Sequence, residues 1–254
     1  MTCGGSVLTD NRVLTAAHCV TNMDFSESYA HFGLTDKSNT SAPWVQTRKF
    51  KSVFMTKNNS ETAPNTLYDD VAILVSVFMT KNNSETAPNT LYDDIAILVL
   101  KEPIEFNDYV LPIRIPNDDQ PLINMDLETT LMGFGDHRLL NDDGTPFTGE
   151  SRFLRYTYVP LTPWSLCTRA YPHLSKDIRF LCAGAPGRGA GSGDSGGPLV
   201  VMSNGMWYQI GLVSKGLPRL RKDILPDVYM RMSMFCGFLD EATKGMFNCV
   251  PVIP

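Results

Sequence analysis

The sequence predicts an all-β protein, and two observations carry the prediction. Short apolar segments recur along the whole 254-residue chain, separated by polar stretches rich in turn formers. Only one stretch, residues 234–244, reads as a helix. A hydrophobic content of 43% supplies enough apolar surface for a real core at this length.

Ser6-Val7-Leu8 is the first strand candidate and runs into Thr9-Asp10-Asn11. Tyr29-Ala30-His31-Phe32 comes next and stops at Gly33. Residues 45–50 form the third segment, and 95–100, Ile-Ala-Ile-Leu-Val-Leu, the fourth, closed by Lys101-Glu102-Pro103. Residues 130–134 end at Gly135; 199–202 end at Ser203-Asn204-Gly205, after which 207–213 begins.

Residues 52–75 and 76–99 are 24-residue copies that differ only in Val71 against Ile95. Solenoid repeats come in larger numbers and diverge, so a nearly identical pair reads as a recent duplication or an assembly error. The copy not used by the fold is expected to form an exposed insertion, since long surface insertions cost little.

The formal net charge of −5 leaves no basic footprint for nucleic acid and no polybasic patch for a membrane surface. No apolar run approaches transmembrane length. Met1 leads directly into Thr2-Cys3-Gly4-Gly5, so no signal peptide is expected in these residues. Six cysteines allow fifteen pairings by sequence alone. Asn39, Asn58 and Asn82 begin glycosylation sequons.

The chemistry is concentrated in Gly193-Asp194-Ser195-Gly196-Gly197-Pro198. Glycines let backbone N–H groups turn toward a ligand, and a serine hydroxyl beside such donors is a candidate nucleophile with an oxyanion site. Serine is weak without a base. Of the four histidines, His18 stands among small residues in Thr15-Ala16-Ala17-His18-Cys19, while His31, His137 and His173 lack motif context. Asp94 opens the apolar run 95–100, where a carboxylate needs a partner such as a histidine N–H. The chain order is then His…Asp…Ser.

These three motifs, with Cys3-Gly4-Gly5-Ser6, resemble the trypsin/chymotrypsin-type serine peptidases. The resemblance runs from Cys3 to about Leu239 and includes Leu111-Pro112-Ile113, Gly133-Phe134-Gly135, Cys182-Ala183-Gly184 and Val213-Ser214-Lys215-Gly216. It implies two antiparallel six-stranded β-barrels with a C-terminal α-helix, the first barrel lacking its opening strand. One peptidase domain would span 1–254: a barrel to about 110, a second over 111–233, then helix and tail. It also implies a serine-type endopeptidase working through an acyl-enzyme. His18 would be general base and then acid, Asp94 the orienting group, Ser195 the nucleophile, and the Gly193 and Ser195 N–H groups the oxyanion hole. The alternative is a non-catalytic homologue serving as a binding or regulatory module. The duplication offers Asp70 as a rival to Asp94; Asp94 is preferred because only it continues into the downstream match. Asp69 and Asp93, one position earlier, read as solvated turn residues.

By the same resemblance Cys3 would pair with Cys19 and Cys167 with Cys182. Cys236 and Cys249 have no family counterpart and are expected to pair with each other. Two family bridges are absent at both ends, with Thr129 and Val201 in one pair of positions and Gly191 and Leu220 in the other. Disulfides imply an oxidising, secreted setting. No metal or organic cofactor is implied, and the partners are protein or peptide substrates and protease inhibitors. The substrate pocket would be formed by Gly189, Ser214, Gly216 and Asp227. Gly189 stands where trypsin-like enzymes carry Asp, whereas Asp227 puts a carboxylate on the opposite wall, so a basic and an apolar preference both stay open. Lys215 replaces the Trp usual beside Gly216. The family's Ile-Val-Gly-Gly start, whose freed amine pairs with the aspartate before the serine, has no match here. Asp194 is therefore expected to lack that partner and to leave its loop disordered or zymogen-like.

Overall fold

The structure, a computed structural model, describes residues 2–21, 23–56, 75–78, 93–123, 127–140, 145–174, 177–215 and 225–253. It is mostly β: two curled antiparallel sheets, short helical turns and a C-terminal helix.

The first sheet contains β1 (Thr2–Cys3), β2 (Ser6–Thr9), β3 (Arg12–Thr15), β4 (Tyr29–Phe32), β5 (Gln46–Met55), β6 (Val75–Phe78) and β7 (Ala96–Leu100). Its spatial order is β1-β6-β4-β5-β7-β3-β2. All five residues of β7 are buried, which is why it reads as an unbroken apolar run: it lies between β5 and β3 with both faces covered. Successive side chains there face opposite ways. Val13 and Leu98, register partners, enter a core with Val7, Phe32, Phe50 and Val110. Leu14 and Ile97, the next pair, enter a core shared with Ile113, Ile115, Leu212, Val228, Met230 and Leu239. The β3–β7 ladder thus locks the two halves of the molecule together.

The second sheet comes after α1 (Ala17–Val20) and α2 (Gln120–Ile123) in the chain. It contains β8 (Thr129–Gly133), β11 (Arg155–Val159), β12 (Phe180–Ala183), β13 (Pro198–Ser203), β14 (Met206–Lys215) and β15 (Asp227–Arg231), ordered β11-β8-β13-β14-β15-β12. A separate hairpin joins β9 (Asp136–Leu140) to β10 (Pro146–Glu150). Helix α3 (Trp164–Ala170) precedes β12, and α4 (Cys236–Thr243) comes after a 3₁₀ turn at Met232–Phe235. The sequence's single helix, 234–244, is therefore two elements. It ends where Lys244 and Gly245 turn left-handed at φ 52° and 79°.

Three disulfides are present: Cys3–Cys19, Cys167–Cys182 and Cys236–Cys249. Thr129 and Val201 are register partners across β8 and β13, both buried, so uncharged packing fills one of the positions that lack a bridge. At the other, a Cβ on Gly191 would fall 2.3 Å from the Asp136 carbonyl oxygen, which leaves no room for cysteine; Leu220 lies outside the described residues.

The repeat departs from the exposed insertion expected of it. Val75–Phe78, spanning the junction of the two copies, enters the sheet between β1 and β4. The two-residue β1 takes its pairing from this strand, Thr2 opposite Phe78 and Cys3 opposite Val77. Residues 57–74 and 79–92 lie outside the described residues, and with them Asp69, Asp70, Asn58 and Asn82.

Candidate active site

The β3–β7 register sets Thr15 opposite Ala96. The chain leaving β3 turns at once into α1, so His18 arrives beside Asp94, which stands two residues before β7. Asp94 accepts two hydrogen bonds from His18: the backbone N–H reaches Oδ1 at 2.8 Å and ring Nδ1 reaches Oδ2 at 2.7 Å. Ser214, at the end of β14, donates its hydroxyl to the same Oδ2 at 2.6 Å. An ionised carboxylate can only accept, so the ring proton belongs on Nδ1 and Nε2 is left as the basic edge. Asp94 is 7% exposed. Burial alone would push its carboxyl up, but the His18 and Ser214 hydrogen bonds together outweigh that and hold it below the ordinary value.

Ser195 is brought to the same place by its backbone. Its carbonyl accepts the Gly4 N–H at 2.7 Å and lies 3.6 Å from Cys19 Sγ; His18 Nε2 is 3.8 Å from that same sulfur. Among the described residues the hydrogen-bond chain runs from Ser214 through Asp94 to His18. Cys3, His18 and Cys19 are also a compact group of metal-type ligands, but the two sulfurs are bonded to each other. The loop needs its glycines. Gly193 and Gly196 have φ of +98° and +79°, and a Cβ on Gly196 would lie 2.2 Å from Thr15 Oγ1 and 2.6 Å from the Gly4 carbonyl.

Asp194 has backbone partners from two loops. Its carboxylate accepts the Gly135 and Gly191 N–H groups, each at 2.7 Å. A Cβ on Gly133 would come within 2.1 Å of its Oδ1, so the small residues of Gly133-Phe134-Gly135 are what admit the carboxylate. Beside it opens a cavity of about 260 Å³, lined by Gly189, Gly133, Gly135, Asp136 and Tyr156 among others.

The described pocket residues lie on neighbouring segments: Ala190, next to Gly189, bonds Asp227, and Lys215, next to Ser214, is the register partner of Val228. Gly189 lines the Asp194 cavity, and Ser214 is buried against Asp94. Gly216 lies outside the described residues; Lys215 is exposed at the end of β14. Asp227 opens β15, is 2% exposed and accepts the Ala190 N–H at 2.7 Å. Burial, reinforced by the Asp227 charge, pushes the Tyr171 hydroxyl up to about 12 and Tyr229 well above its ordinary value, with Asp194 adding to the effect on Tyr229. Of the other histidines, His31 meets Thr47 Oγ1 at 2.7 Å and has its pKa lowered by burial, and His173 lies in the 3₁₀ turn Pro172–Leu174.

The sequence reading missed one feature here. Asp93 is not a solvated turn residue. It is 8% exposed, left-handed at φ 50°, and ion-paired with Arg179, which Asp177 also holds. Asp93 and Arg179 are 86 positions apart, and neither belongs to a motif.

A family model described as Trypsin matches residues 1–77 and 65–239. The two matches overlap inside the repeat. The Clotting factor G beta subunit of Tachypleus tridentatus is 29% identical over 275 aligned positions, covering 98% of this chain and 75% of that protein. The Venom peptide isomerase heavy chain of Agelenopsis aperta is 25% identical over 248 positions, covering 94% of this chain and 86% of that protein.

Proposed function

Because the chain belongs to the trypsin family of serine peptidases, we propose that it is a secreted serine endopeptidase that cleaves protein or peptide substrates with His18, Asp94 and Ser195 as its catalytic triad. The observation that carries this is the Ser214–Asp94–His18 hydrogen-bond chain, with Ser195 backbone-anchored next to it. Ser195 Oγ attacks the substrate carbonyl carbon while His18 Nε2 takes the hydroxyl proton. Asp94 keeps the ring in the Nδ1–H form and stabilises the imidazolium as it develops. The carbonyl oxygen, now negative, is met by the Gly193 and Ser195 N–H groups. The C–N bond breaks, His18 returns its proton to the leaving amine, and an acyl-Ser195 ester remains. Water, deprotonated by His18, then releases the acid. No step calls for a metal or organic cofactor.

Asp227 gives the pocket a preference for Arg or Lys at the cleaved residue. Support comes from its place at the start of β15, where it accepts the Ala190 N–H next to Gly189 and so sets a carboxylate on the pocket wall that would attract a cationic side chain. Peptide-library profiling of Asp227→Gly tests this: an unchanged basic preference would exclude the role. Secretion is supported by the three disulfides and by the clotting-factor relative; among the described residues no helix is long and apolar enough to cross a membrane.

A fluorophosphonate probe is expected to label Ser195, and Ser195→Ala to abolish both labelling and cleavage. Absence of labelling in the folded protein would favour a non-catalytic binding module. The peptide isomerase among the relatives motivates one more measurement. Mass analysis of incubated peptides is expected to find cleavage fragments; a peptide altered with its mass unchanged would redirect the assignment.

A further inference from the structure

We propose that Arg179 is a positioning residue for the Asp94–His18 pair: it clamps Asp93 from the second sheet and so fixes the backbone that presents Asp94. This rests on the peptidase reading for its kinetic consequences, but the clamp itself is geometric. Asp93 immediately precedes Asp94, and its left-handed conformation, φ 50°, is uncommon outside glycine but open to aspartate. The Asp93 carbonyl accepts the Ile95 N–H at 2.7 Å, closing a tight turn with Asp94 at its centre. The direction in which the Asp94 carboxylate leaves the chain is thus set by the turn that Asp93 begins.

Arg179 holds that residue. Its guanidinium pairs with Asp93 through Nη1, while Nε and Nη2 grip Asp177 at 2.8 and 2.6 Å. The fork is therefore fixed in plane before it reaches Asp93, which a lysine could not achieve. Behind it, the Arg179 carbonyl accepts the Arg231 N–H at 2.7 Å, tying the segment to β15. The Asp93 side chain is 12% exposed and that of Arg179 31%, so the pair is only partly open to screening. The two sheets meet here, since Asp93 leads into β7 and Arg179 into β12. His18 and Ser214 contact Asp94 directly; Arg179 acts on it only through Asp93.

The test compares Arg179→Met, Arg179→Lys and Asp93→Asn in the full chain. Two readouts are used, steady-state kinetics and the downfield proton resonance of the His18 Nδ1–H hydrogen bond to Asp94. Loss of the clamp is expected to lower kcat by about 10–100-fold with KM within about twofold, because a misplacement of ~1 Å near reacting groups costs rates of this order. Arg179→Met should also weaken or abolish the resonance, Arg179→Lys should recover it in part, and Asp93→Asn, which tolerates the left-handed turn but loses the charge, should fall between. An unchanged resonance and kcat in folded Arg179→Met overturns the proposal. If circular dichroism finds Arg179→Met unfolded, an unchanged resonance in Asp93→Asn overturns it instead. A wild-type chain with no cleavage and no probe labelling would sink the peptidase reading alone, since the resonance still reports on the clamp.

Discussion

The two 24-residue copies are almost the same peptide, yet their matching ends are used differently. In the first copy Ser52-Val53-Phe54-Met55 is the second half of β5 and pairs with β7, Val53 opposite Leu98 and Phe54 opposite Ile97. In the second copy Ser76-Val77-Phe78 belongs to β6 and pairs with β4 on one side and β1 on the other. The same residues thus serve a strand within the active-site ladder and a strand that pairs with β1 and β4 instead. Their β-propensity is identical, so the choice is made by the edges on offer. Without β6, β1 and one side of β4 would present unpaired N–H and C=O groups. At the other end, Ile95 and its neighbours supply β7, with Asp94 reaching His18.

The copies should differ most when each aspartate is removed in turn. Asp94→Asn should lower kcat by about 10⁴-fold, the loss associated with removing the orienting aspartate of a Ser-His-Asp site. Asp70→Asn should leave kcat unchanged. Equal losses in steady-state assays would mean that the copies exchange places in the site.

The next effect is on stability. Val77→Pro removes a ladder N–H from a strand paired on both sides and should cost about 3 kcal/mol or more, read from chemical denaturation. If residues 75–78 were a solvated insertion, the variant would unfold at the wild-type denaturant midpoint.

A smaller difference between the copies lies in their pH dependence. Asp94 is held below the ordinary carboxyl value in the folded protein, burial opposing and the His18 and Ser214 hydrogen bonds prevailing. A depressed folded value stabilises above the unfolded value of about 4 and is lost as pH falls through the folded one. Asp94→Asn should therefore flatten the fall of Tm with acid below about pH 4, and Asp70→Asn should not. Parallel curves for Asp94→Asn and wild type would place the acid sensitivity elsewhere.

Legibility in the sequence divides along the same line. The Ser195 loop and His18 stand in contiguous motifs whose glycines and small residues are required by close approaches, such as Gly196 against Thr15. Asp94 is separable from Asp70 only through the residues C-terminal to its copy, from Leu100 onward. β6 is invisible in the sequence because pairing depends on edges made elsewhere in the chain. The Arg179–Asp93 clamp is invisible for the same reason. The backbone partners of Asp194 are invisible too, because Gly135 and Gly191 come from two loops whose meeting no local pattern announces.

The mildest substitution bears most directly on how the fold tells the copies apart. Ile95→Val makes the two copies identical, since Val71 already stands at the matching position. Ile95 is fully buried in the core shared by both sheets, among Leu14, Ile97 and Ile115. Removing one methyl group there should cost about 0.5–1.5 kcal/mol. That cost bears on the register as well as on packing, because the extra methyl is the one chemical difference within the two copies themselves. Combining Ile95→Val with Val71→Ile transfers the methyl to the first copy. If packing at this position selects between the copies, the double variant should show a measurable loss of kcat on Asp70→Asn that the wild type does not. If kcat of the double variant still depends on Asp94 alone, the selection comes from the continuation into Leu100, whose N–H bonds the Asn11 carbonyl at 3.0 Å, and from Lys101, whose N–H bonds the Lys49 carbonyl at 2.8 Å.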